Sequence, residues 1–316
     1  MRYGAIDIGT NSMRLLLSEI ENGKFIKREK LVNTTRLGQG IDKDGCISEE
    51  AFQKNISALS EFKNKCDDYG CEKVFCIGTA ALRNAGNSEE FRIRAKKETG
   101  VDIDIIPGEK EATLGYVGVV GGIDIGNKRT LIIDIGGGST EFIIGDKTKI
   151  YYRKSLNIGA LVMTERFVTS MPECDAEYKN LSSYINEEVV RVIRKIDSFL
   201  PTDGKGKKNI KLIGIGGTIT SVSAINQKLE VYSMEKIHSS YVTKEELESQ
   251  IKEIRKMTLE ERRTIKGLQP KRAEIILSGE LILKSIFDNL SAGNIQISEY
   301  DNLEGIILEE VNKIKF

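Results

Sequence analysis

The string Asp134-Ile-Gly-Gly-Gly-Ser-Thr-Glu141 has an acidic residue at each end and three consecutive glycines between them. Backbone N–H groups of adjacent glycines can converge on an anion without side-chain obstruction, and phosphate is the natural anion for such a turn. The terminal carboxylates suit a hard cation such as Mg²⁺, which usually accompanies bound phosphate. A glycine-rich turn without a ligand is the alternative. The predicted phosphate-binding residues are Gly136, Gly137, Gly138 and Ser139, and the predicted metal-binding residues are Asp134 and Glu141.

A second string near the N-terminus, Asp7-Ile-Gly-Thr-Asn-Ser12, repeats the order of acid and glycine turn. Its polar side chains can donate hydrogen bonds to phosphate oxygens, and Asp7 can hold metal-bound water. One string alone is a weak signal, whereas the pair indicates a single site built from both. The predicted phosphate-binding residues of this copy are Gly9, Thr10, Asn11 and Ser12.

A third glycine turn, Gly214-Ile-Gly-Gly-Thr218, follows a predicted strand and opens a predicted helix. N–H groups at a helix N-terminus could hold another part of an extended anion or nucleotide. Tight packing between the strand and the helix accounts for the same glycines equally well. The residues concerned are Gly216, Gly217 and Thr218.

Apolar periodicity indicates the elements that position these turns. Three strands up to Val32 precede a helix that begins at Ser48, and strand and helix then alternate as far as a helix over about 109–120. The resulting order βββαβαβα starts again at Thr130, so the sequence predicts two like-folded α/β domains with mixed sheets and a cleft between them. We predict domains at 1–124 and 125–316, with a final helix over about 303–314 that packs back on the first domain.

Length and composition limit the class of protein. The 316 residues exceed one compact core, and 40% hydrophobic with 30% charged residues is typical of a folded globular protein. Lys plus Arg and Asp plus Glu each number 47, so the net charge favours neither nucleic acid nor a membrane surface as a partner. The sequence shows neither a membrane span nor a signal peptide, which predicts a cytoplasmic location. Five cysteines without a CxxC pair argue against a disulfide framework.

The three glycine turns resemble those of the actin, Hsp70 and sugar-kinase superfamily, whose two ribonuclease H-like domains close on a ligand in the interdomain cleft. A wider set of strings, spread from Asp7 to about Gly305, resembles the exopolyphosphatase and guanosine pentaphosphate phosphatase (Ppx/GppA) family. These strings are Asp7 to Arg14, Arg36-Leu-Gly-Gln-Gly40, Thr79 to Asn87, Pro107-Gly-Glu-Lys-Glu-Ala112, Asp134 to Glu141, Gly214 to Thr218 and Glu261-Arg-Arg263.

The resemblance implies roles for individual residues. It makes Glu111 the general base, places Arg83 on substrate phosphate, and places Asp134 and Glu141 at the magnesium site. Without it, Glu111 is more readily interpreted as an exposed first-turn helix acid, and Glu109 competes for the same role. Thr113 and Asn302 depart from the family pattern, which leaves their contacts with substrate open.

The expected activity is Mg²⁺-dependent hydrolysis of phosphoric anhydrides, releasing terminal phosphate from inorganic polyphosphate. Guanosine pentaphosphate, a nucleotide of the stringent response, is the alternative substrate. A weak sensor that binds guanosine tetraphosphate is a further candidate, as is a kinase or ATPase of the superfamily. Mn²⁺ in place of Mg²⁺, a monovalent cation such as K⁺, and a homodimer are all compatible with the resemblance.

Overall fold

The computed structural model describes residues 1–200 and 210–312, which form two mixed sheets flanked by helices. This architecture confirms the predicted fold class. No helix within these two ranges is long and apolar enough to cross a membrane. The strands are β1 Arg2–Ile8, β2 Met13–Glu21, β3 Lys24–Asn33, β4 Lys73–Gly78, β5 Asp104–Ile105, β6 Thr130–Ile135, β7 Thr140–Asp146, β8 Lys149–Leu156, β9 Lys211–Ile215, β10 Tyr241–Thr243 and β11 Asn294–Ile297. The α-helices are α1 Ile41–Asp44, α2 Glu49–Tyr69, α3 Ala80–Asn84, α4 Ser88–Thr99, α5 Gly108–Gly122, α6 Ala160–Phe167, α7 Asp175–Ile196, α8 Gly216–Asn226, α9 Met234–Ile237, α10 Lys244–Ile254, α11 Leu259–Arg263, α12 Ile276–Leu290 and α13 Asn302–Asn312.

Strand order shows the duplication directly. The first sheet has the order β3-β2-β1-β4-β5, and the second repeats it as β8-β7-β6-β9-β11 with β10 added at the far edge. In each sheet the first strand pairs antiparallel with the second and parallel with the fourth of its half. The second copy is longer than the predicted βββαβαβα unit, because four helices and β10 lie between α8 and β11.

Local sequence accounts for the first meander and the helix after it. Asn22 and Gly23 take φ values of 50° and 74°, the left-handed pair that a tight hairpin between β2 and β3 requires. The Ser48 side chain accepts a hydrogen bond from the Ala51 N–H at 3.2 Å and so caps α2, as the sequence pattern predicts.

Each half contributes one helix that packs on the sheet of the other half. Helix α5 belongs to the first repeat, yet its apolar face packs on β6, β7 and β9 of the second sheet through Ala112 and Tyr116. Helix α13 ends the second repeat and packs on β1 and β2 of the first sheet through Leu303 and Ile307. Residues 313 and 314 of the predicted final helix lie outside the described residues. The domain limits at 1–124 and 125–316 stay a prediction.

Helices α5 and α13 also contact each other at a pair of glycines. A Cβ atom on Gly118 would lie 1.9 Å from the Asp301 carbonyl oxygen, and one on Gly305 would lie 1.9 Å from the Leu114 carbonyl oxygen. Leu114 lies four residues before Gly118, and Asp301 lies four residues before Gly305. Each glycine therefore faces the carbonyl group one helical turn before the other glycine, and the contact is symmetric. The helices can therefore cross at this distance only if both positions lack a side chain.

A buried acid without a partner lies in the helical layer of the second half. Glu280 on α12 is fully buried, and neither of its carboxylate oxygens has a hydrogen-bond partner in the described ranges. Arg262 lies near it, but this guanidinium pairs with Glu173 at 2.7 Å. Burial therefore raises the pKa of Glu280 well above its usual range, with the charge of Arg262 opposing the rise.

We expect Glu280→Gln to stabilise the protein increasingly as pH rises. Because the pKa of Glu280 is higher in the folded state, the unfolded chain loses this proton at a lower pH than the folded chain does. The free energy of unfolding of the wild type therefore falls as pH rises above about 4.3. Each tenfold difference in proton affinity is worth about 1.4 kcal/mol. Denaturant unfolding at pH 5 and pH 8 measures the effect, with Glu253→Gln on the exposed face of α10 as the matched control. Equal stability of wild type and Glu280→Gln at pH 8 would contradict the assignment.

Candidate active site

Both predicted phosphate loops have the same turn geometry. The Gly9 N–H donates to the Ser12 carbonyl at 3.1 Å, and the Gly136 N–H donates to the Ser139 carbonyl at 3.0 Å. The turns join β1 to β2 and β6 to β7, at the same position in each half. The repeat that the two sequence strings indicated is therefore also a repeat in three dimensions.

The two loops touch across the cleft. A Cβ atom on Gly137 would lie 2.9 Å from Asn11 Cβ, and one on Gly138 would lie 2.3 Å from Thr10 Oγ1. The absence of side chains at these two positions lets the backbone of one half approach the backbone of the other. Free N–H groups of both loops can then act on one anion.

A cross-strand pair of charged residues flanks each loop, and the two pairs differ in net charge. In the first half Asp7 lies opposite Arg14, with 2.5 Å between Oδ2 and Nη2, and Arg14 also contacts Asp301 at 2.8 Å. In the second half Asp134 lies opposite Glu141. Cross-strand neighbours have Cβ atoms about 5 Å apart, so the first half presents an ion pair where the second presents two acids.

The third glycine turn closes one side of the same site. Gly216 has φ +87°, and a Cβ atom on it would lie 2.2 Å from Asp134 Oδ1. A Cβ atom on Gly217 would lie 2.0 Å from Arg272 Nη2. Helix α8 begins here with its N-terminus at the cleft, and Thr218 lines the cavity. Close approach to two charged side chains thus accounts for both glycines, beyond the strand-to-helix packing that the sequence also allowed.

Glu111 and Arg83 form an ion pair at the opposite side. Arg83 Nη1 donates to Glu111 Oε2 at 2.6 Å and to the Ile106 carbonyl at 3.1 Å. Glu111 is 8% exposed, whereas the Glu109 side chain is 66% exposed and contacts Arg153 at 3.4 Å. Of the two acids at the start of α5, only Glu111 therefore faces the cleft.

These groups enclose a cavity of about 70 Å³ between the two halves. All the site residues predicted from sequence line it except Arg83, which reaches it through Glu111. The lining residues from the prediction are Asp7, Gly9, Thr10, Asn11, Ser12, Glu111, Asp134, Gly136, Gly137, Gly138, Ser139, Glu141, Gly216, Gly217 and Thr218.

The cavity concentrates negative charge on buried carboxylates. Burial raises the pKa of Asp134 to about 7 against the opposing charge of Arg14. Burial and the nearby acids Glu111 and Asp134 raise the pKa of Glu141 well above its usual range. Burial also raises the pKa of Glu111, opposed by Arg83. A group of acids that resists ionisation in this way gains most from a nearby cation.

The donor set fits Mg²⁺ that is held partly by phosphate and water. Asp7 Oδ1 is buried and has no hydrogen-bond partner among the described residues, and Glu141 accepts a hydrogen bond from Ser155 at 2.7 Å. Within the same ranges, no three side chains of His, Cys, Asp or Glu stand close enough to hold a metal alone. Mg²⁺ commonly takes one or two carboxylates and completes its shell with water and substrate phosphate.

Two further residues near the site, Arg272 and Ser155, were missed by the sequence reasoning, and a third, Asn302, was noted only as a departure from the family pattern. Arg272 lines the cavity, and burial lowers its pKa to about 10. Asn302 is buried and bonds both Arg14 at 2.7 Å and Asp7 at 3.3 Å. Ser155 lies opposite Glu141 on the next strand. Only Ser155 had a local signal, its register in the predicted β7–β8 pair; the remaining two are brought in by long-range packing.

Thr113 and the lone histidine lie outside the cavity. Thr113 donates to the Glu109 carbonyl at 2.8 Å and accepts from Arg153 at 2.9 Å. His238 accepts from the Glu299 N–H at 3.2 Å and has a ring contact with Tyr300. The five cysteines are all free thiols.

Two glycine loops, a third glycine turn and an acid–arginine pair thus line one cleft between two like-folded halves. The sequence model of the family described as "Ppx/GppA phosphatase family" matches residues 16–314. The chain belongs to this family, as the sequence resemblance indicated.

Individual relatives carry several names. The chain is 36% identical to the bifunctional 3-dehydroquinate synthase/phosphatase of Fusobacterium nucleatum over 97% of its length and 46% of that protein. It is 29% identical to the guanosine-5'-triphosphate,3'-diphosphate pyrophosphatase of Photobacterium profundum over 99% of its length and 60% of that protein. It thus spans about half the length of these curated relatives. The crystal structure of an exopolyphosphatase from Cytophaga hutchinsonii matches with a TM-score of 0.89 and 29% identity, over 100% of this chain and 99% of that one.

We expect Mg²⁺ to bind at Asp134 and to stabilise the folded chain. A ligand at 100 times its Kd that binds only the folded state contributes about 2.7 kcal/mol, so the melting temperature should rise with Mg²⁺. Asp134→Asn should lose most of this rise, and EDTA should abolish turnover of the wild type. Thermal unfolding with and without Mg²⁺ measures the first effect, with Asp104→Asn on the exposed edge strand β5 as the control. An undiminished response in Asp134→Asn would count against this ligand.

Proposed function

We propose that the protein is an exopolyphosphatase, a phosphoric anhydride hydrolase that releases terminal orthophosphate from inorganic polyphosphate. The observation that carries the proposal is the cavity in which two touching glycine loops face a buried acid, Glu111. Backbone N–H groups suit the oxygens of one terminal phosphate, and the small cavity suits a phosphoryl group better than a larger substituent. Water is then the attacking group.

Glu111 is the proposed general base. A water that attacks phosphorus must lose a proton, and a carboxylate with a raised pKa accepts that proton more readily near neutral pH. The bond from Arg83 holds the carboxylate in one orientation and leaves its second oxygen for the water. The charge of Arg83 opposes the rise in the pKa of Glu111 and so favours the ionised form that a base needs.

The remaining groups stabilise charge. N–H groups of the loops at Gly9 and Gly136 would hold the phosphoryl oxygens. Asp134 and Glu141 would hold Mg²⁺ or Mn²⁺, and Asp7 would hold a water bound to the ion. The cation would supply charge neutralisation at the transferred phosphoryl group, the main requirement in this class of reaction. No covalent intermediate on the protein is needed, since water attacks directly in line.

The rest of the substrate would leave the cavity past Arg14 and Arg272. Both line the boundary between the phosphate cavity and a second pocket of about 290 Å³. Arg272 forms no ion pair with an acid of the described chain, so its guanidinium is available to an anion. Planar guanidinium groups bind phosphate through paired hydrogen bonds, which suits the second and third phosphates of a polymer.

The same pocket favours the alternative substrate, guanosine pentaphosphate. Leu31, Val32, Tyr232 and Met234 line it, and Val32 and Tyr232 are exposed at 46% and 42%. An aromatic and apolar surface next to phosphate-binding arginines could hold a nucleoside, as the relative from Photobacterium profundum supports by its name. A weak sensor of guanosine tetraphosphate would use the same contacts without turnover.

Location and assembly are further parts of the proposal. We place the protein in the cytoplasm, with no nucleic acid or membrane as a partner. A homodimer and a requirement for K⁺ are compatible with the family resemblance. All of these follow from the family resemblance and the balanced charge.

We expect Glu111→Gln to lower kcat by roughly 10²- to 10⁴-fold with little change in substrate binding, because the isostere keeps the shape but cannot take a proton. Glu109→Gln is the matched control, since its side chain lies two residues away in solvent. Phosphate release from tripolyphosphate with Mg²⁺, measured beside binding, checks both. If Glu109→Gln is the inactive variant, the assignment of the base is wrong.

We expect the wild type to release phosphate faster from short polyphosphate than from guanosine pentaphosphate in the presence of Mg²⁺. If the second pocket holds the guanine ring, Tyr232→Leu should lower activity on the nucleotide by at least about fivefold, because stacking is worth about 1 kcal/mol. The same variant should leave polyphosphate turnover within about twofold. Tyr241→Leu, on the exposed strand β10, is the control. A faster wild-type rate on the nucleotide would reverse the preference that we propose.

A further inference from the structure

A segment of the first half, residues 34–40, crosses the cleft beside the phosphate loops; we name it the strap. It contains the string Arg36 to Gly40, which none of the proposed chemistry uses. The Arg36 N–H donates to the Asn11 carbonyl and the Gly38 N–H to the Thr10 carbonyl, both at 2.9 Å. A Cβ atom on Gly38 would lie 2.2 Å from Thr10 Cγ2. The strap and the first phosphate loop are therefore one unit.

The strap contacts the second half through the side chain of Arg36. Its Nη1 lies 2.8 Å from Glu274 Oε2, and its Nη2 donates to the Lys271 carbonyl at 3.2 Å. These two residues flank Arg272, which lines the phosphate cavity. Arg36 thus joins the first phosphate loop to the segment that carries the buried guanidinium of the second half.

A second contact connects the strap to the other phosphate loop through helix α6. The Gly40 N–H donates to the Glu165 carboxylate at 3.3 Å. Glu165 lies on α6, and the first turn of α6 donates from Ala160 and Leu161 to the carbonyls of Gly136 and Gly137, both at 2.9 Å. The strap therefore contacts two of the second-half segments that border the cavity, the segment around Arg272 and helix α6.

The backbone of Arg36 indicates that its side chain matters. Arg36 has φ +52°, a left-handed conformation that glycine adopts without steric cost and arginine does not. Leu37, the next residue, is fully buried and anchors the turn. Because glycine would suit the turn better, the long cationic side chain is the feature that this position supplies. It points at Glu274 across the cleft.

We propose that Arg36 is a positioning residue whose ion pair with Glu274 holds the cleft closed and thereby sets the affinity of the cavity for phosphate. The two side chains are 23% and 38% exposed, so the pair is screened by water and can break during each cycle of substrate entry and product release. An interaction present only in the closed state shifts the population toward that state by its own free energy. The proposal rests on the proposed function only for the choice of substrate.

The test breaks the pair from each side. Arg36→Gln and Glu274→Gln remove one charge each, and the second leaves the left-handed residue intact. The exchanged double variant, Arg36→Glu with Glu274→Arg, restores an ion pair of reversed polarity. Arg94→Gln is the matched control, because Arg94 pairs with Glu49 at 2.8 Å entirely within the first half.

Two measurements report how far the cleft is closed and how tightly it binds phosphate. Spin labels on the exposed thiols Cys46 and Cys174, one in each half, report the distance across the cleft in a Cys71→Ser background. Steady-state kinetics on tripolyphosphate and inhibition by orthophosphate, both with Mg²⁺, report affinity and turnover. The labels and the orthophosphate binding do not depend on catalysis, so they test the strap even if tripolyphosphate is not hydrolysed.

Each single variant should widen the label distance distribution and raise both KM and the orthophosphate inhibition constant by about two- to fivefold, the range of an exposed ion pair. The kcat should stay within about twofold, since the reacting groups are unchanged. The exchanged pair should restore the values, and Arg94→Gln should match wild type. A distance distribution and an inhibition constant that are unchanged in Glu274→Gln would overturn the proposal, as would single variants that the exchange fails to rescue.

Discussion

The contact between α5 and α13 at Gly118 and Gly305 is the constraint on which the rest of the structure depends. Each helix packs on the sheet of the opposite half, so the two halves cannot be assembled separately around their own cores. The crossing fixes the position of both helices relative to the cleft. Glu111 enters the cleft from the start of α5, and Asp301 meets Arg14 before the start of α13. The acid proposed as the base is thus positioned by a contact two turns further along its own helix.

Duplication explains the shape of the site, and the departure from symmetry explains its chemistry. The loops at Gly9 and Gly136 have the same turn and approach each other because glycine removes the side chains between them. The facing pairs differ: Asp7 has an arginine opposite, whereas Asp134 has a second acid. One half therefore neutralises its own carboxylate, while the other leaves charge for a cation to compensate. If both halves carried an ion pair at this position, no uncompensated carboxylates would remain to bind a cation.

Most of the strands, the long helices and all three glycine turns could be predicted from the sequence, because alternation, caps and turn residues act over a few neighbours. Ser48 caps α2 at the predicted start of that helix, and the Asn22-Gly23 pair makes the hairpin between the first strands. The helices α9 to α11 were not expected; α9 and α11 have only four and five residues and so carry little periodicity. The exchange of α5 and α13 between the sheets also left no local trace, because an apolar helix face does not specify which sheet it covers.

The sequence by itself determined the phosphate loops and the acids beside them, since residue type and spacing along one hairpin are enough to place both. Only the tertiary structure decided which of Glu109 and Glu111 faces the cavity, because two residues on a helix point in directions that depend on how the helix is docked. Only the tertiary structure brought Arg272 to Gly217, and Asn302 to Asp7. Those contacts join positions 55 and 295 residues apart in the chain, and no short-range pattern encodes a meeting at such separations.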